Sequence, residues 1–185
     1  MALLTIVEAP HPVLKTKARE VREDEFGPTL EGLFEDMAET MYAAPGVGLA
    51  APQINDSRRI LVADPGFEGD DGTAKPSEQL VYMVNPVILS RSKETIQSSE
   101  ACLSLPDYSQ DVRRHKEIVV RYQDAVGETF ERSFADFPAV VIQHEIDHLD
   151  GITLLERSTR FKRNRYLQKQ KKKKLSGTRD KSRRR

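Results

Sequence analysis

Apolar residues recur with helical spacing in two parts of the chain. Between residues 25 and 43 they step mostly by three or four, which predicts an amphipathic helix; they are Phe26, Leu30, Leu33, Phe34, Met37 and Met41. This helix should end before Pro45, because the residue before a proline resists the helical conformation. Residues 137–149 predict a second, mostly buried helix, with Asp136 at its start and Gly151 at its end.

Short runs rich in β-branched and aromatic residues predict strands. These runs are 59–63, 80–84, 87–89, 117–122 and 128–134, and the last two form a hairpin around residues 123–127. A third helix is predicted from about Ser158 to about Lys173. Short strands among three helices favour an α+β fold, with small antiparallel or mixed sheets packed around the helix at 137–149 and a helix near each end of the chain.

Three segments carry neither pattern. Residues 8–22, which include Pro10 and Pro12, predict an irregular N-terminal arm. Residues 64–79 are rich in glycine, proline and acidic residues and predict an exposed loop. Residues 176–185 have a composition typical of disorder.

Charge divides the chain into two regions. The 29 Lys and Arg residues balance the 29 Asp and Glu residues. Residues 1–156 nevertheless hold 14 basic and 28 acidic residues, a net charge of −14, and residues 157–185 hold 15 basic residues and one acid, a net charge of +14. We expect a globular domain over residues 1–156, followed by a basic C-terminal helix and disordered tail over residues 157–185. A net charge of zero therefore excludes nothing about nucleic-acid binding.

Targeting signals and disulfides are not expected. No run approaches the roughly 20 apolar residues of a membrane helix, and the first residues lack the pattern of a signal peptide. The single cysteine, Cys102, cannot form an internal disulfide. We therefore expect a cytoplasmic monomer with no membrane partner. By itself the thiol of Cys102 could be buried filler, a nucleophile or a metal ligand.

The strongest candidate for chemistry is the pair His144 and His148 with Glu145 beside the first of them. Residues four apart lie on one face of a helix, so two imidazoles can bind one divalent metal ion with a glutamate next to its open position. Alone, the pattern also fits solvated polar residues. The apolar residues around it weigh against that reading, because buried histidines and a buried glutamate need partners.

A site of this type needs a third ligand. The basic residues downstream of His148 are poor candidates, whereas Cys102 lies upstream. A thiolate and two imidazoles suit Zn²⁺, Fe²⁺, Co²⁺ or Ni²⁺ and leave a fourth position open. The segment 46–53 has two glycines and ends in Gln53, which is typical of a loop that lines a pocket, although tight helix-to-strand packing explains it at least as well.

Three motifs, in this order, resemble those of the bacterial peptide deformylases: GVGLAAPQ at 46–53, EACLSLP at 100–106 and QHEIDHLDG at 143–151. The segment IVEAPHPVLKTKA is similar as well, so the resemblance covers roughly residues 4–157. It implies a hydrolase that removes the formyl group from the N-terminal formylmethionine of nascent peptides and releases formate. Residues 1–156 would be its catalytic domain.

The resemblance also implies the parts of the site. The metal ion would be Fe²⁺, one per chain, for which Zn²⁺, Ni²⁺ or Co²⁺ can substitute. Glu145 would be the general base and acid, while Gln53 and the backbone N–H of Leu103 would stabilise the oxyanion. The backbone at Val47 and Gly48 would pair with an extended peptide. The metal ligands would be Cys102, His144 and His148.

A pocket for the methionine side chain should be apolar and tolerant of shape, and the residues expected to line it are Val47, Phe137, Val140 and Val141. Glu100 either pairs with Arg114 near the metal or is an ordinary surface charge. Ala101 departs from the family pattern, which has glycine there; its Cβ requires a negative φ and adds bulk beside the pocket. The acidic loop 64–79 is longer than is usual for the family.

The basic tail is typical either of phosphate binding with salt-sensitive affinity or of a solvated helix with a frayed end. Because the C-terminal helix of the family docks where nascent chains leave the ribosome, the resemblance implies ribosomal RNA and exit-region proteins as partners. The basic residues that form this stretch are Lys162, Arg163, Arg165, Lys169, Lys171–Lys174 and Arg183–Arg185.

Two other functions fit parts of the sequence. A general metallopeptidase would share the two histidines and the glutamate but would not need Cys102 as a ligand. A non-enzymatic ribosome- or RNA-binding homologue would keep the basic tail and release no formate at any metal loading.

Overall fold

Seven strands and three α-helices are present in the computed structural model, which describes residues 2–67 and 76–182 and, for residues 174–182, only the backbone. The strands are β1 (Gly48–Ala50), β2 (Ile60–Ala63), β3 (Val81–Arg91), β4 (Thr95–Ala101), β5 (Ser109–His115), β6 (Glu117–Gln123) and β7 (Thr129–Ala135). The helices are α1 (Pro28–Ala43), α2 (Asp136–Leu149) and α3 (Arg160–Ser182). The predicted α+β class is confirmed.

The central layer is a five-stranded antiparallel sheet in the order β1-β2-β3-β6-β7, and β4 and β5 form a separate two-stranded ribbon. All four residues of β2 are buried, because the two faces of the sheet are covered by different helices. Leu61 packs in the cluster that includes Ile142 and Ile146 of α2, and Val62 packs with Phe34 and Met37 of α1. The sheet thus lies between α1 and α2, and α2 is almost entirely buried.

Helix α1 begins at Pro28, later than the predicted start near residue 25. Gly27 precedes it with a φ of 112°, a conformation that glycine adopts without strain. Pro28 suits the first helical position because its missing N–H would be unpaired there in any case. At α2 the predicted start and end are confirmed to within a residue, although Asp136 is the first helical residue and makes no capping hydrogen bond.

The strands differ more from the prediction. The runs at 80–84 and 87–89 belong to one strand, β3, whose pairing with β6 shifts register between Val84 and Val87. This irregularity accommodates Pro86, which has no N–H to donate to the neighbouring strand. The hairpin of β6 and β7 is confirmed. The sequence did not predict β1, β4 or β5, because β1 has three residues and the ribbon carries polar residues on both faces.

The loop expected at 64–79 is not exposed at its first residue. Asp64 is fully buried, and its carboxylate accepts hydrogen bonds from the hydroxyl of Tyr42 (2.7 Å) and the backbone N–H of Ser77 (2.8 Å). The hydroxyl of Ser77 also donates to it. These donors compensate for the removal of the carboxylate from water. Residues 68–75 of the loop lie outside the described residues.

Helix α3 is longer than predicted, because its backbone remains helical as far as Ser182. Residues 176–182 include weak helix formers such as Gly177 and Asp180, but they continue a helix whose preceding residues, 168–175, are good helix formers. Residues 183–185 lie outside the described part. The first half of α3 packs on the body through Tyr166, which is 5% exposed and clusters with Leu105 and Leu154. Among the described residues, no helix is both long and apolar enough to span a membrane.

The contact between Gly151, just after α2, and the backbone of Lys15 can be tested by substitution. Gly151 has a φ of 74°, and a Cβ there would lie 2.8 Å from the backbone carbonyl carbon and oxygen of Lys15. We expect Gly151→Ala to lower the free energy of unfolding by about 2 kcal/mol or more, because alanine adds left-handed strain and a backbone clash. Urea denaturation followed by circular dichroism measures the change.

The matched control is Gly32→Ala, since Gly32 is exposed in α1 and has nothing within 4 Å of its would-be Cβ. That substitution should raise the free energy of unfolding by about 0.5–1 kcal/mol, because alanine is the better helix former. Equal effects of the two substitutions would contradict the described end of α2.

Candidate metal centre

Three potential metal ligands converge at one point. Cys102 directly follows β4, and His144 and His148 lie on successive turns of α2. Their ligand atoms all lie within 4.8 Å of one another, and Sγ of Cys102 is 3.1 Å from Nε2 of His148. A tetrahedral ion bound to sulfur and nitrogen at about 2.0–2.3 Å would place its ligands about 3.5 Å apart. The cluster therefore fits a divalent ion after only small movements.

The orientation of His144 is set by a buried carboxylate. Nδ1 of His144 lies 2.8 Å from Oε2 of Glu100, which leaves Nε2 of the ring for the cluster. Arg114 holds Glu100 in turn with two hydrogen bonds, from Nε at 2.7 Å and from Nη2 at 2.8 Å. The predicted pairing of Glu100 with Arg114 is confirmed. A carboxylate on the outer ring nitrogen is the usual support of a metal-binding histidine.

The electrostatics of this cluster favour a positive charge. Burial acts to raise the pKa of Glu100, but its hydrogen bonds from Arg114 and His144 outweigh burial and hold that pKa at about 2. Burial likewise acts to lower the pKa of His144, yet its contacts with Cys102 and Glu100 and the charge of Glu145 raise it well above its usual value. The groups that raise the pKa of His144 would also stabilise a divalent cation bound at this cluster.

Glu145 is buried beside the cluster. Its Oε2 has no hydrogen-bond partner among the described residues, and burial raises the pKa of the carboxyl group to about 7. The side chain passes close to Gly48, where a Cβ would lie 2.8 Å from Cδ of Glu145. Burial also lowers the pKa of His148 well below its usual value, which keeps that ring neutral and able to bind a metal. A buried carboxylate with a free oxygen is a strong candidate for proton transfer.

Gln53 is fixed so that its amide N–H groups face the cluster. Its Oε1 accepts a hydrogen bond from the backbone N–H of Ala50 at 2.8 Å. Its Nε2 therefore points toward Sγ of Cys102, 3.6 Å away, and Oγ of Ser104, 3.4 Å away. The side chain is 1% exposed, so its orientation is held by the fold.

These groups line a cavity of about 710 Å³. Of the site residues predicted from the sequence, His148 is the exception that does not line this cavity; it reaches the cluster from the next turn of α2. The wall includes all the others: Val47, Gly48, Gln53, Cys102, Leu103, Phe137, Val140, Val141, His144 and Glu145. Val140 and Val141 are buried, whereas Phe137 is 49% exposed at the rim. The structure therefore brings the predicted groups together on one side of α2.

The two-stranded ribbon and the turn that joins its strands supply wall residues that sequence reasoning missed. Ser98 and Ser99 of β4 and Asp107 and Tyr108 of the turn line the cavity. Ile96, Ser98 and Glu100 lie on one face of β4 and are less exposed than their neighbours. Because only Ile96 is strongly apolar, the sequence lacked the alternation of apolar and polar residues that predicts a strand. Ala101 also lines the cavity and lies in regular strand conformation, so its Cβ is accommodated without a positive φ.

A thiol, two imidazoles and a buried glutamate on an open cavity, within this α+β fold, define the site of a metal-dependent hydrolase. A model of the polypeptide deformylase family matches residues 3–164. The chain belongs to that family, and it is an enzyme that removes the formyl group from N-terminal formylmethionine.

Individual peptide deformylases are similar to this chain in sequence and structure over most of its length. The peptide deformylase of Phenylobacterium zucineum (strain HLK1) is 41% identical over 174 residues, which cover 93% of this chain and 97% of that protein. The crystal structure of peptide deformylase from Ehrlichia chaffeensis has a TM-score of 0.83 at 32% identity and covers 96% of this chain and 99% of its own. The Met-Ala-Ser-bound class I type b enzyme from Acinetobacter baumannii has a TM-score of 0.76 at 35% identity and covers 85% and 99%.

The cluster predicts how metal binding responds to loss of sulfur. We expect the wild-type protein to hold one divalent ion per chain and Cys102→Ser to bind it more than about 100-fold more weakly, because a neutral hydroxyl replaces a thiolate. Metal content after dialysis against a competing chelator measures this. His11→Gln is the control, since His11 lies outside the cluster. Unchanged binding by Cys102→Ser would indicate a site with histidine ligands alone.

Proposed function

We propose that Cys102, His144 and His148 hold one divalent ion, Fe²⁺ in the cell, at which the formyl amide of formylmethionyl peptides is hydrolysed. The convergence of these three donors beside Glu145 and an open cavity carries the proposal. Zn²⁺, Ni²⁺ and Co²⁺ can replace Fe²⁺, because a thiolate and two imidazoles suit all four ions. Such an ion supplies Lewis-acid chemistry, since it polarises a carbonyl group and allows water to lose a proton near neutral pH.

Glu145 is the proposed base and acid. Its unpartnered Oε2 accepts the proton of the attacking water and then delivers that proton to the nitrogen of the departing amine. A carboxylate already paired with an arginine, as Glu100 is, would be too weak a base for this step. Burial supports the role because it raises the pKa of Glu145 above its usual value, which makes the carboxylate a stronger base than an exposed one.

Gln53 and the backbone N–H of Leu103 are the proposed donors to the oxyanion. The hydrogen bond from Ala50 holds the amide of Gln53 before substrate arrives, so no reorganisation is needed when negative charge develops. The loss of one such donor typically raises the barrier by about 3–4 kcal/mol. Leu103 lies on the same cavity wall, directly after Cys102.

The peptide would enter along β1, which is an edge strand of the five-stranded sheet formed by the described residues. Main-chain groups of Val47 and Gly48 are the proposed partners of an extended substrate, which would add a strand to this edge. The methionine side chain would occupy the part of the cavity formed by Val140, Val141 and Phe137. The Acinetobacter baumannii relative in which Met-Ala-Ser is bound supports a substrate that begins with methionine.

A general metallopeptidase is disfavoured by the position of Cys102. Its Sγ lies 3.1 Å from Nε2 of His148, which supports a role for the thiol as a third metal ligand. The family shown by the comparisons also disfavours a non-enzymatic RNA-binding homologue.

The basic segment after residue 156 is proposed to bind ribosomal RNA and exit-region proteins, which would place a monomeric, cytoplasmic enzyme near emerging chains. Lys171 and Lys172 are exposed on α3 and available for phosphate. Lys169 and Lys173 instead pair with Asp107 of the body, at 3.7 Å and 2.9 Å. The segment from 157 onward thus combines body contacts with free cationic charge, while residues 1–156 carry the proposed chemistry.

The role of Glu145 is tested by Glu145→Gln, for which we expect formate release from formyl-Met peptides to fall by about 10²–10⁴-fold, because the amide cannot accept the proton. An anaerobic formate assay measures the rate, and metal analysis should show a full complement of bound ion. Gly48→Ala should also lower activity, because its Cβ would displace the Glu145 carboxylate. Activity that survives Glu145→Gln with metal bound would exclude this mechanism.

The tail is tested by reversing the charge of exposed lysines. We expect Lys171→Glu/Lys172→Glu to weaken binding to purified ribosomes by about tenfold at low salt, because phosphate contacts depend on cationic charge. Sedimentation with ribosomes at several salt concentrations measures the affinity. Lys17→Glu/Lys93→Glu makes the same charge change at exposed positions of the body. Equal losses in both variants would point to net charge alone.

A further inference from the structure

A chain of alternating charges leads from His144 to the segment that follows α2. Glu100 contacts the ring of His144, and Arg114 contacts Glu100. Nη1 of Arg114, which makes no contact with Glu100, donates a hydrogen bond to Oδ2 of Asp147 at 2.6 Å. Arg157 completes the chain, with Nη2 2.6 Å from Oδ1 of Asp147 and Nε 3.0 Å from Oδ2.

Two arginines therefore converge on one carboxylate, that of Asp147. The side chains of Arg114 and Glu100 are 4% and 5% exposed, and that of Asp147 is 14% exposed. Arg157 is 40% exposed, but it presents two adjacent N–H groups to both oxygens of Asp147. Bidentate pairs of this kind fix the relative orientation of both partners, unlike ordinary surface ion pairs.

The backbone of Arg157 is itself held in place. Leu154 and Leu155, just before it, are buried in the cluster that contains Tyr166 of α3. Ser158, just after it, donates a hydrogen bond from Oγ to the carbonyl oxygen of Leu154 at 2.7 Å and contacts the hydroxyl of Tyr108. The side chain of Arg157 therefore projects from backbone that is packed against the body, although the division of charge along the sequence assigns this residue to the basic tail.

We propose that Asp147 and Arg157 are positioning residues of the metal centre, which act through Arg114 and Glu100 on the ring of His144. This inference rests on the proposed metal centre. Arg157 holds Asp147, Asp147 holds the end of Arg114 that Glu100 does not use, and Glu100 then fixes the direction of Nε2 of His144. A residue beyond position 156 is therefore part of the support of the site.

Positioning and simple electrostatics predict opposite results for Arg157→Gln. Removal of a positive charge near a cation site would by itself strengthen binding of a metal ion. Loss of positioning would weaken it, because the imidazole would no longer be held toward the ion. Arg157→Lys keeps the charge but loses the two-pronged contact, so it isolates the geometric part.

The experiment measures the dissociation constant of Zn²⁺ by competition with a chromophoric chelator and the visible spectrum of the Co²⁺-loaded protein. We expect about tenfold weaker Zn²⁺ binding by Arg157→Gln, a smaller loss by Arg157→Lys, and altered Co²⁺ bands in both, since outer partners of a ligand have effects of this order. Asp147→Asn should weaken binding at least as much as Arg157→Gln, because two guanidinium groups then face each other without a carboxylate.

The matched control is Arg113→Gln, which removes the same charge from an exposed residue next to Arg114. Its Co²⁺ spectrum should equal that of the wild type, and its Zn²⁺ affinity should be no lower. Tighter Zn²⁺ binding by Arg157→Gln, or unchanged affinity and spectra in both Arg157 variants, would overturn the inference. A wild-type protein that binds no metal would instead overturn the proposed metal centre itself, so the two failures are distinguishable.

Discussion

The burial of polar and charged side chains on α2 is the constraint on which the rest of this structure depends. The helix packs against the sheet, yet it carries His144, Glu145 and His148 at buried positions. Such groups are costly to remove from water unless they find partners. The neighbouring elements supply some of them, since Glu100 pairs with His144 and Cys102 lies beside His148. Oε2 of Glu145 and Nδ1 of His148 have no hydrogen-bond partner among the described residues.

The two-stranded ribbon is the element that meets this demand. Glu100 and Cys102 are two residues apart at the end of β4, so they lie on the same side of the chain and both reach α2. One holds the outer nitrogen of His144, and the other joins the cluster. Arg114 on β5 then neutralises Glu100, and the intervening turn forms part of the cavity wall. The ribbon has few apolar residues, but its buried pair of Glu100 and Arg114 ties it to His144 of α2.

The sequence predicted the helices better than the strands, and the reason is physical. Helical spacing of apolar residues persists over many positions, so α1 and α2 were recognisable from residues such as Phe34 and Ile142. Strand β2 was recognisable as a short apolar run, but β1 has only three residues and β4 has little apolar character to alternate. The polar segment at 176–182 looked disordered because it cannot build a core, yet its backbone continues the helix formed by the lysines and glutamines that precede it.

By itself the sequence determined the ligand residue types, their spacing on one helix face, the family resemblance and the division into an acidic body and a basic tail. Spacing along a helix is a local property, so the pair of histidines could be read directly. Only the tertiary structure decided that Cys102 meets that pair, that Glu145 is buried with a free oxygen, and that Arg157 reaches Asp147. These contacts join distant segments, and they exist because α2 is buried against the sheet where the ribbon and the C-terminal segment can reach it.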